Sequence, residues 1–113
     1  MNVTTAHIDG VTVMRVAEPR LTYPILSDFA TAVTGLIAAG ERKILVDLTP
    51  VGYVDSATIG CLMDLFRQAD AAGGSFKLSG VQKRVETMLS MTGAHNFLKV
   101  YADEASALKS FGG

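Results

Sequence analysis

The chain has 113 residues, of which 49% are hydrophobic and 19% charged, so it can bury a sizeable core and is unlike a disordered chain. Its 10 Lys and Arg residues and 11 Asp and Glu residues give a net charge of -1. The sequence has no basic block, so it lacks the positive charge pattern that proteins binding nucleic acids or membrane surfaces show. The single cysteine, Cys61, excludes an intramolecular disulfide and a thiolate zinc cluster.

The first predicted elements form a β-hairpin. Two runs with high strand propensity, Val3–Ile8 and Val11–Val16, are separated by Asp9-Gly10. This pair favours a tight turn because glycine readily takes the positive φ that such a turn needs. A loop is predicted over residues 19–24, between two prolines, and contains Arg20, Leu21, Thr22 and Tyr23.

Two helices and a buried strand are predicted next. Apolar residues at spacings of three and four place the first helix from Ile25 to a stop at Gly40, with one face formed by Ile25, Phe29, Val33, Leu36 and Ile37. Residues 43–48 form a short apolar run that is typical of a central strand. The second helix follows residues 53–56, ends at Gly73-Gly74 and has an apolar face of Ile59, Leu62, Met63, Phe66 and Ala69.

The remaining residues continue the alternation of strands and helices. Strands are predicted over residues 75–78 and 97–101, a third helix over residues 81–91, and a final helix from Asp103 or Glu104 to about Phe111. The order is therefore β-β-α-β-α-β-α-β-α. This order predicts an α/β fold with a central mixed, mostly parallel β-sheet and four α-helices, in one domain over residues 1–113.

The most informative segment is residues 54–60, Val-Asp-Ser-Ala-Thr-Ile-Gly. Asp55 stands where the second helix begins, so its carboxylate can accept hydrogen bonds from free helix N–H groups and meets the positive end of the helix dipole. Ser56 is then expected in the first turn with its hydroxyl near the surface, and Gly60 is expected to allow close packing of the helix. By spacing alone, an Asp-Ser pair here indicates ordinary helix capping.

This segment resembles the signature of STAS domains, an Asp-Ser-Ser/Thr-Gly-Leu/Ile-Gly run at the start of the second helix. The resemblance continues in order along nearly the whole chain. Residues 44–48 (Ile-Leu-Val-Asp-Leu) resemble the central strand of the family, and residues 73–78 the stretch before its third helix. Met91-Thr92-Gly93 resembles the end of that helix, and residues 101–111 resemble the acidic turn and closing helix. The resemblance implies the STAS fold.

The resemblance also implies an anti-sigma-factor antagonist, which is a binding protein and not an enzyme. In such antagonists the serine directly after the aspartate is the phosphorylation site, here Ser56. The implied partners are an anti-sigma factor serine kinase of the histidine-kinase-like ATPase group and a metal-dependent serine phosphatase. No cofactor is implied, and a monomer or weak dimer is expected. The expected partner contacts are Asp55, Ser56, Ala57, Thr58, Arg20, Thr22 and Tyr23.

Three positions depart from the family pattern. Ala57 replaces the second Ser/Thr of the signature, and Thr58 replaces its glycine. Thr22 stands where an acidic residue is usual, and in the family that residue lies near the phosphoacceptor. Thr22 therefore bears on kinase recognition, and Thr58 is a minor alternative phosphoacceptor.

Two other functions stay open on the sequence alone. The first is a STAS subunit of a transporter or signalling complex that acts without phosphorylation. The second is an enzyme, although Ser56 lacks the Gly-x-Ser-x-Gly setting of a nucleophile and no Gly-rich phosphate loop occurs. His7 and His95 lack neighbours at metal-ligand spacing, so no metal site is predicted.

The cellular location is expected to be cytoplasmic. Residues 1–9 do not show a positively charged segment followed by an apolar run, so no signal peptide is predicted. The longest mostly apolar stretch, residues 29–40, is too short for the ~30 Å hydrocarbon core of a bilayer.

Overall fold

The computed structural model describes residues 1–112 and places seven strands and four α-helices among them. The strands are β1 (Val3–Ile8), β2 (Val11–Val16), β3 (Arg20–Leu21), β4 (Lys43–Asp47), β5 (Tyr53–Val54), β6 (Ser75–Ser79) and β7 (Lys99–Tyr101). The helices are α1 (Tyr23–Ala38), α2 (Ser56–Ala71), α3 (Lys83–Met91) and α4 (Glu104–Ser110). A short 3-10 helix, Ala94–Asn96, follows α3.

The main sheet has five strands in the order β1-β2-β4-β6-β7. β1 and β2 pair antiparallel, and the other neighbours pair parallel. Asp9 (φ 52°) and Gly10 (φ 80°) connect β1 to β2, and the two positive φ angles match the right-handed twist of a tight hairpin. The predicted hairpin and the mixed, mostly parallel sheet with four helices are confirmed.

The two faces of this sheet carry cores of different size. Alternate strand residues such as Met14, Val46 and Leu78 pack with buried residues of α1, α2 and α3 in the larger core. The opposite face has a smaller core in which Ala107 and Phe111 cover Val11, Val13 and Leu45. Because side chains alternate along a strand, the two cores lie on opposite sides of the sheet. Among residues 1–112, α4 is the one α-helix that packs on the second side.

Cations from the sheet hold α4 at both of its ends. The Arg15 guanidinium donates to both carboxylate oxygens of Glu104 over 2.8 Å, at the start of the helix. This contact lowers the pKa of Glu104 below its ordinary value. At the other end, Lys77 Nζ donates to the Ser110 carbonyl over 2.9 Å, where a positive charge complements the helix dipole.

Several predicted boundaries are corrected by the structure. Arg20 and Leu21 were expected in a loop but form β3, which pairs parallel with β5 in a separate two-stranded sheet. α1 begins at Tyr23 and not at Ile25, because Pro24 fits the first helical turn, where its missing N–H costs nothing. β7 begins at residue 99 and not 97, since Ala94–Asn96 forms the 3-10 turn before it.

The buried face of α2 also differs from the prediction. Leu65 and Thr58 are buried, whereas Met63 and Phe66 are only partly buried at the edge of the larger core. Gly60 was expected to permit close helix packing, and this is wrong: Gly60 is exposed, and a Cβ built on it meets no atom within 4 Å. Thr58 is a polar residue, so the spacing of apolar residues alone did not include it in the predicted buried face of α2.

Candidate functional site

Asp55 joins the N-termini of two helices. As the N-cap of α2, its Oδ1 accepts a hydrogen bond of 2.9 Å from the backbone N–H of Thr58. Its Oδ2 accepts one of 2.9 Å from the backbone N–H of Tyr23, the first residue of α1. Each helix start leaves N–H groups without an intrahelical partner, and one carboxylate satisfies a donor from each. The predicted capping role of Asp55 is confirmed, and the link to α1 is additional.

Thr58 lies beneath this junction and is 0% exposed. Its hydroxyl is 2.7 Å from the carbonyl of Leu21 and 2.7 Å from Asp55 Oδ1, so its one proton is shared between two acceptors. The contact ties β3 to the first turn of α2. Thr58 was expected as a partner contact and a minor alternative phosphoacceptor. Both expectations are wrong for the folded chain, because neither a partner nor a kinase reaches a fully buried hydroxyl.

Ser56 is the first residue of α2 and is exposed, as is Ala57 after it. The residue thus stands at the surface where free helix N–H groups and the positive end of the dipole meet solvent. A negative charge added here is electrostatically favoured by the helix and does not need a cavity. Chemically, the position suits reversible modification of a hydroxyl.

The other predicted site residues lie on β3 and at the start of α1, which the hydrogen bond from Tyr23 to Asp55 joins to the start of α2. Arg20 is exposed on β3, Thr22 is half-buried as the N-cap of α1, and Tyr23 is 74% exposed. A groove of about 480 Å³ runs between the first turns of α1 and α2, and it brings Tyr23 and Ala57 together. Sequence reasoning missed the other lining residues, which are Pro24, Leu26, Ser27, Gly60, Cys61 and Asp64. Helical spacing from Ala57 points to Gly60, Cys61 and Asp64, but pairing α2 with α1 needs the tertiary structure.

Two residues on the Arg20 side of the site were also missed. The Arg20 guanidinium carbon lies 4.7 Å from the centroid of the Tyr53 ring, and that of Arg84 lies 5.7 Å from it. The parallel pairing of β3 with β5 sets Arg20 opposite Tyr53. α3 supplies Arg84 from a position 31 residues further along the chain, which no local pattern links to Tyr53.

The Asp55 carboxyl has a pKa below its ordinary value of 3.8. Burial raises the pKa, but hydrogen bonds from the Thr58 hydroxyl and from the backbone N–H groups of Tyr23 and Thr58 outweigh it. The folded chain therefore favours the charged form more than the unfolded chain does. The resulting stabilisation is complete well above pH 3.8, and is lost as the pH falls through the lowered folded-state value.

Asp55→Asn is expected to lower the free energy of unfolding by about 1 kcal/mol at pH 7, because the amide keeps one acceptor but turns a donor toward the N–H of Tyr23. The difference from the unmodified chain should close at an acidic pH below the lowered folded-state pKa of Asp55, where Asp55 itself becomes protonated. Urea denaturation at both pH values checks this. Asp28→Asn, at an exposed position of α1, controls for loss of one charge. A gap that is the same at both pH values would contradict the role of the Asp55 charge.

The described part of the chain has neither a metal-binding cluster of side chains nor a membrane-spanning helix. Within residues 1–112, no group of three or more His, Cys, Asp or Glu side chains is placed to hold a metal ion. No helix in the same range combines the length and apolar character needed to cross a membrane.

Comparison with known proteins gives a family and a sequence relative. The STAS domain family matches residues 2–107 of this chain. A candidate anti-sigma-factor antagonist of Thermotoga neapolitana is 32% identical over 74 residues. That match covers 66% of this chain and 66% of the relative, which is just under two thirds of the length of the relative.

Two solved structures share the fold at low sequence identity. An anti-sigma-factor antagonist (STAS) domain protein from Planctomyces limnophilus superposes with a TM-score of 0.89 at 22% identity, over 98% of each chain. The Bacillus cell fate determinant SpoIIAA, in its phosphorylated form, superposes with a TM-score of 0.73 at 15% identity. That superposition covers 96% of this chain and 98% of SpoIIAA.

Proposed function

This chain belongs to the STAS domain family, and from that premise we propose that it is an anti-sigma-factor antagonist switched by phosphorylation of Ser56. The unmodified chain binds an anti-sigma factor that is also a serine kinase, and the bound sigma factor is released. Phosphorylated chain leaves the complex, and a metal-dependent serine phosphatase restores it. The chain acts as a binding protein in the cytoplasm, as a monomer or weak dimer.

One observation carries this proposal: in the first turn of α2 the serine, Ser56, is exposed and the threonine, Thr58, is buried. Ser56 stands at the surface beside the Asp55 cap, and Thr58 is fully buried. A kinase approaching this turn thus meets one reactive hydroxyl. Hydrogen bonds from Thr58 to Asp55 and to the Leu21 carbonyl hold this turn in place, and they do not involve the Ser56 side chain.

The names of related proteins support the same proposal. The Thermotoga neapolitana relative is a candidate anti-sigma-factor antagonist. SpoIIAA, which shares the fold, has been solved in a phosphorylated form. A protein of the same fold that carries phosphate supports the proposal that this chain is phosphorylated as well.

The proposed partner surface is centred on Ser56 and extends over its neighbours. Asp55, Ala57, Thr22 and Tyr23 border it on the α1 side, where the groove between the two helices lies. Tyr23 is a good anchor candidate, because a large exposed aromatic ring gains much when a partner covers it. Arg20 is exposed on β3, where it pairs opposite Tyr53 of β5.

Phosphotransfer from the cognate anti-sigma factor tests the proposal. Incubation of the two purified proteins with Mg²⁺ and ATP is expected to add one phosphate to Ser56, as mapped by mass spectrometry of peptides. Ser56→Ala should abolish the transfer. Ser27→Ala, an exposed serine beside the same groove, should leave it intact. Phosphate on another residue, or stable binding to a transport complex without phosphate, would contradict the proposal and favour a non-phosphorylated STAS subunit.

A further inference from the structure

We propose that Arg20 and Arg84, held over the ring of Tyr53, bind an acidic segment of the protein partner that docks beside Ser56. This inference rests on the proposed function and names the chemistry of the partner. It also assigns a role to two residues, Tyr53 and Arg84, that lie outside the signature of the second helix.

The three side chains form a preorganised cluster. Both guanidinium carbons lie within 6 Å of the Tyr53 ring centroid, at 4.7 Å for Arg20 and 5.7 Å for Arg84. At this distance the π-face of the ring attracts a cation and restricts its motion. Tyr53 is half-buried, whereas both arginines are exposed. The Tyr53 ring thus brings two exposed guanidiniums together at one place on the surface.

The positive charge of this cluster is not neutralised within the described chain. In residues 1–112, neither Arg20 nor Arg84 has a carboxylate oxygen within 4.0 Å, whereas Arg15 pairs with Glu104 and Arg67 with Asp64. Lys83, which is exposed beside Arg84, adds a third positive charge. Such a patch in a chain of net charge -1 fits a partner of opposite charge.

The carboxylates near Arg20 and Arg84 in the sequence either accept hydrogen bonds from other groups or lie too far away to form an ion pair with them. Glu18, two residues before Arg20, accepts a 2.7 Å hydrogen bond from the backbone N–H of Asn2. Asp55 is held by Tyr23 and Thr58. Glu86 follows Arg84 on α3 and is exposed, but its carboxylate is not within 4.0 Å of either guanidinium. The two arginines therefore keep their donors available.

Carboxylates of a protein segment fit these donors better than nucleic-acid phosphates do. A guanidinium presents a planar fork that matches a carboxylate or a phosphate in two parallel hydrogen bonds, so the number and arrangement of the positive charges decides between the two. Nucleic acid requires a longer basic track to release enough counterions, and the chain has no basic block. Two guanidiniums over one ring suit two acidic side chains that are close together in a short segment.

The position of the cluster connects it to the proposed phosphorylation. Tyr53 precedes Ser56 by three residues, so their Cα atoms are at most about 11 Å apart. This upper bound on the Cα separation is somewhat longer than the Debye length of ~8 Å at physiological salt, so repulsion between a phosphate on Ser56 and an acidic segment at the patch is weakened by salt but not abolished. The dianion repels an acidic segment, and the repulsion is stronger at low salt. Phosphorylation thus weakens docking without a change in the fold.

Charge reversal tests the inference. The affinity of the anti-sigma factor is measured by titration calorimetry for the unmodified chain, Arg20→Glu, Arg84→Glu and the double variant. Each single reversal is expected to weaken binding about tenfold, and the double variant should lose most of the salt dependence. Arg20→Gln and Arg84→Gln remove the charge with less disturbance. Arg42→Glu is the matched control, since Arg42 is exposed at the amino end of β4, opposite the edge that bears Ser56.

A second probe separates failure of this inference from failure of the proposed function. If the anti-sigma factor binds the reversed variants and the unmodified chain equally, the acidic segment is wrong and the proposed function stands. If it does not bind the unmodified chain, the proposed function falls, and a hexaglutamate peptide tests the cluster alone. NMR is expected to show shifts of the Arg20 and Arg84 Nε–H signals with hexaglutamate. Unchanged signals, or larger shifts with a single-stranded oligonucleotide, would overturn the inference.

Discussion

Phosphorylation of Ser56 is expected to lower the affinity of this chain for its anti-sigma factor about a hundredfold, while the free energy of unfolding changes by less than about 1 kcal/mol. The fold tolerates the phosphate because Ser56 is exposed at the start of α2. There the free N–H groups and the helix dipole favour a negative charge by roughly 0.3–1 kcal/mol. The change must therefore appear at the surface that a partner covers.

The phosphate destabilises the complex with the anti-sigma factor much more than it affects the free chain. A phosphoserine carries about -1.5 to -2 charges and three strong acceptor oxygens. A partner surface built for a neutral hydroxyl must bury that charge without a counter-charge, which costs several kcal/mol. Since ~1.4 kcal/mol is a tenfold change in affinity, a loss of about a hundredfold needs only part of that cost. The Asp55 carboxylate, directly before Ser56, adds repulsion.

The affinity loss is measured by calorimetric titration of the anti-sigma factor with fully phosphorylated chain and with unmodified chain. Urea unfolding of both forms measures the free energy of unfolding. Ser56→Glu and Ser56→Gln form a matched pair that differs mainly in charge. The Glu variant is expected to bind about tenfold more weakly than the Gln variant, because it carries one charge and lacks phosphate oxygens. Equal affinities for the phosphorylated and unmodified chains would refute the switch. A large fall in the unfolding free energy would show that the phosphate acts on the fold instead.

The elements that the sequence predicts well are those with a strong local signal. The hairpin follows from Asp9-Gly10 between two β-rich runs, and each long helix follows from its apolar spacing. The order of strands and helices then favours a mostly parallel sheet. The exposed position of Ser56 also follows locally, because the first residue of a helix capped by Asp55 turns toward solvent.

The features that the sequence does not predict depend on residues far apart in the chain. β3 and β5 have two residues each, too few for any alternation to appear, and they exist because they pair with each other. Thr58 is buried because α2 packs its first turn against β3, 37 residues away in sequence from the Leu21 carbonyl that Thr58 contacts. The Arg84 contact with Tyr53 likewise requires α3 to fold back beside β5.

Thr58→Val is expected to lower the free energy of unfolding by about 2 kcal/mol, although the two side chains have nearly the same shape. The Thr58 hydroxyl is fully buried and is shared between the Leu21 carbonyl and Asp55 Oδ1. Valine leaves the Leu21 carbonyl without this donor, and a buried unsatisfied acceptor costs about 1–3 kcal/mol. In the valine variant the backbone N–H of residue 58 still donates a hydrogen bond to Asp55, so the N-cap of α2 is kept. Chemical denaturation of the purified variant measures the difference.

Thr58→Ser separates the hydroxyl from the methyl group. Serine keeps the donor and loses one methyl, so it should cost only about 1 kcal/mol. A valine variant as stable as the parent would mean that the hydroxyl does not hold β3 to α2. A larger loss for valine than for serine would show that this position, a glycine in the STAS signature, uses its hydroxyl to hold β3. Since β3 carries Arg20 and leads directly into Tyr23, that bond then also fixes the two ends of the proposed partner surface relative to Ser56.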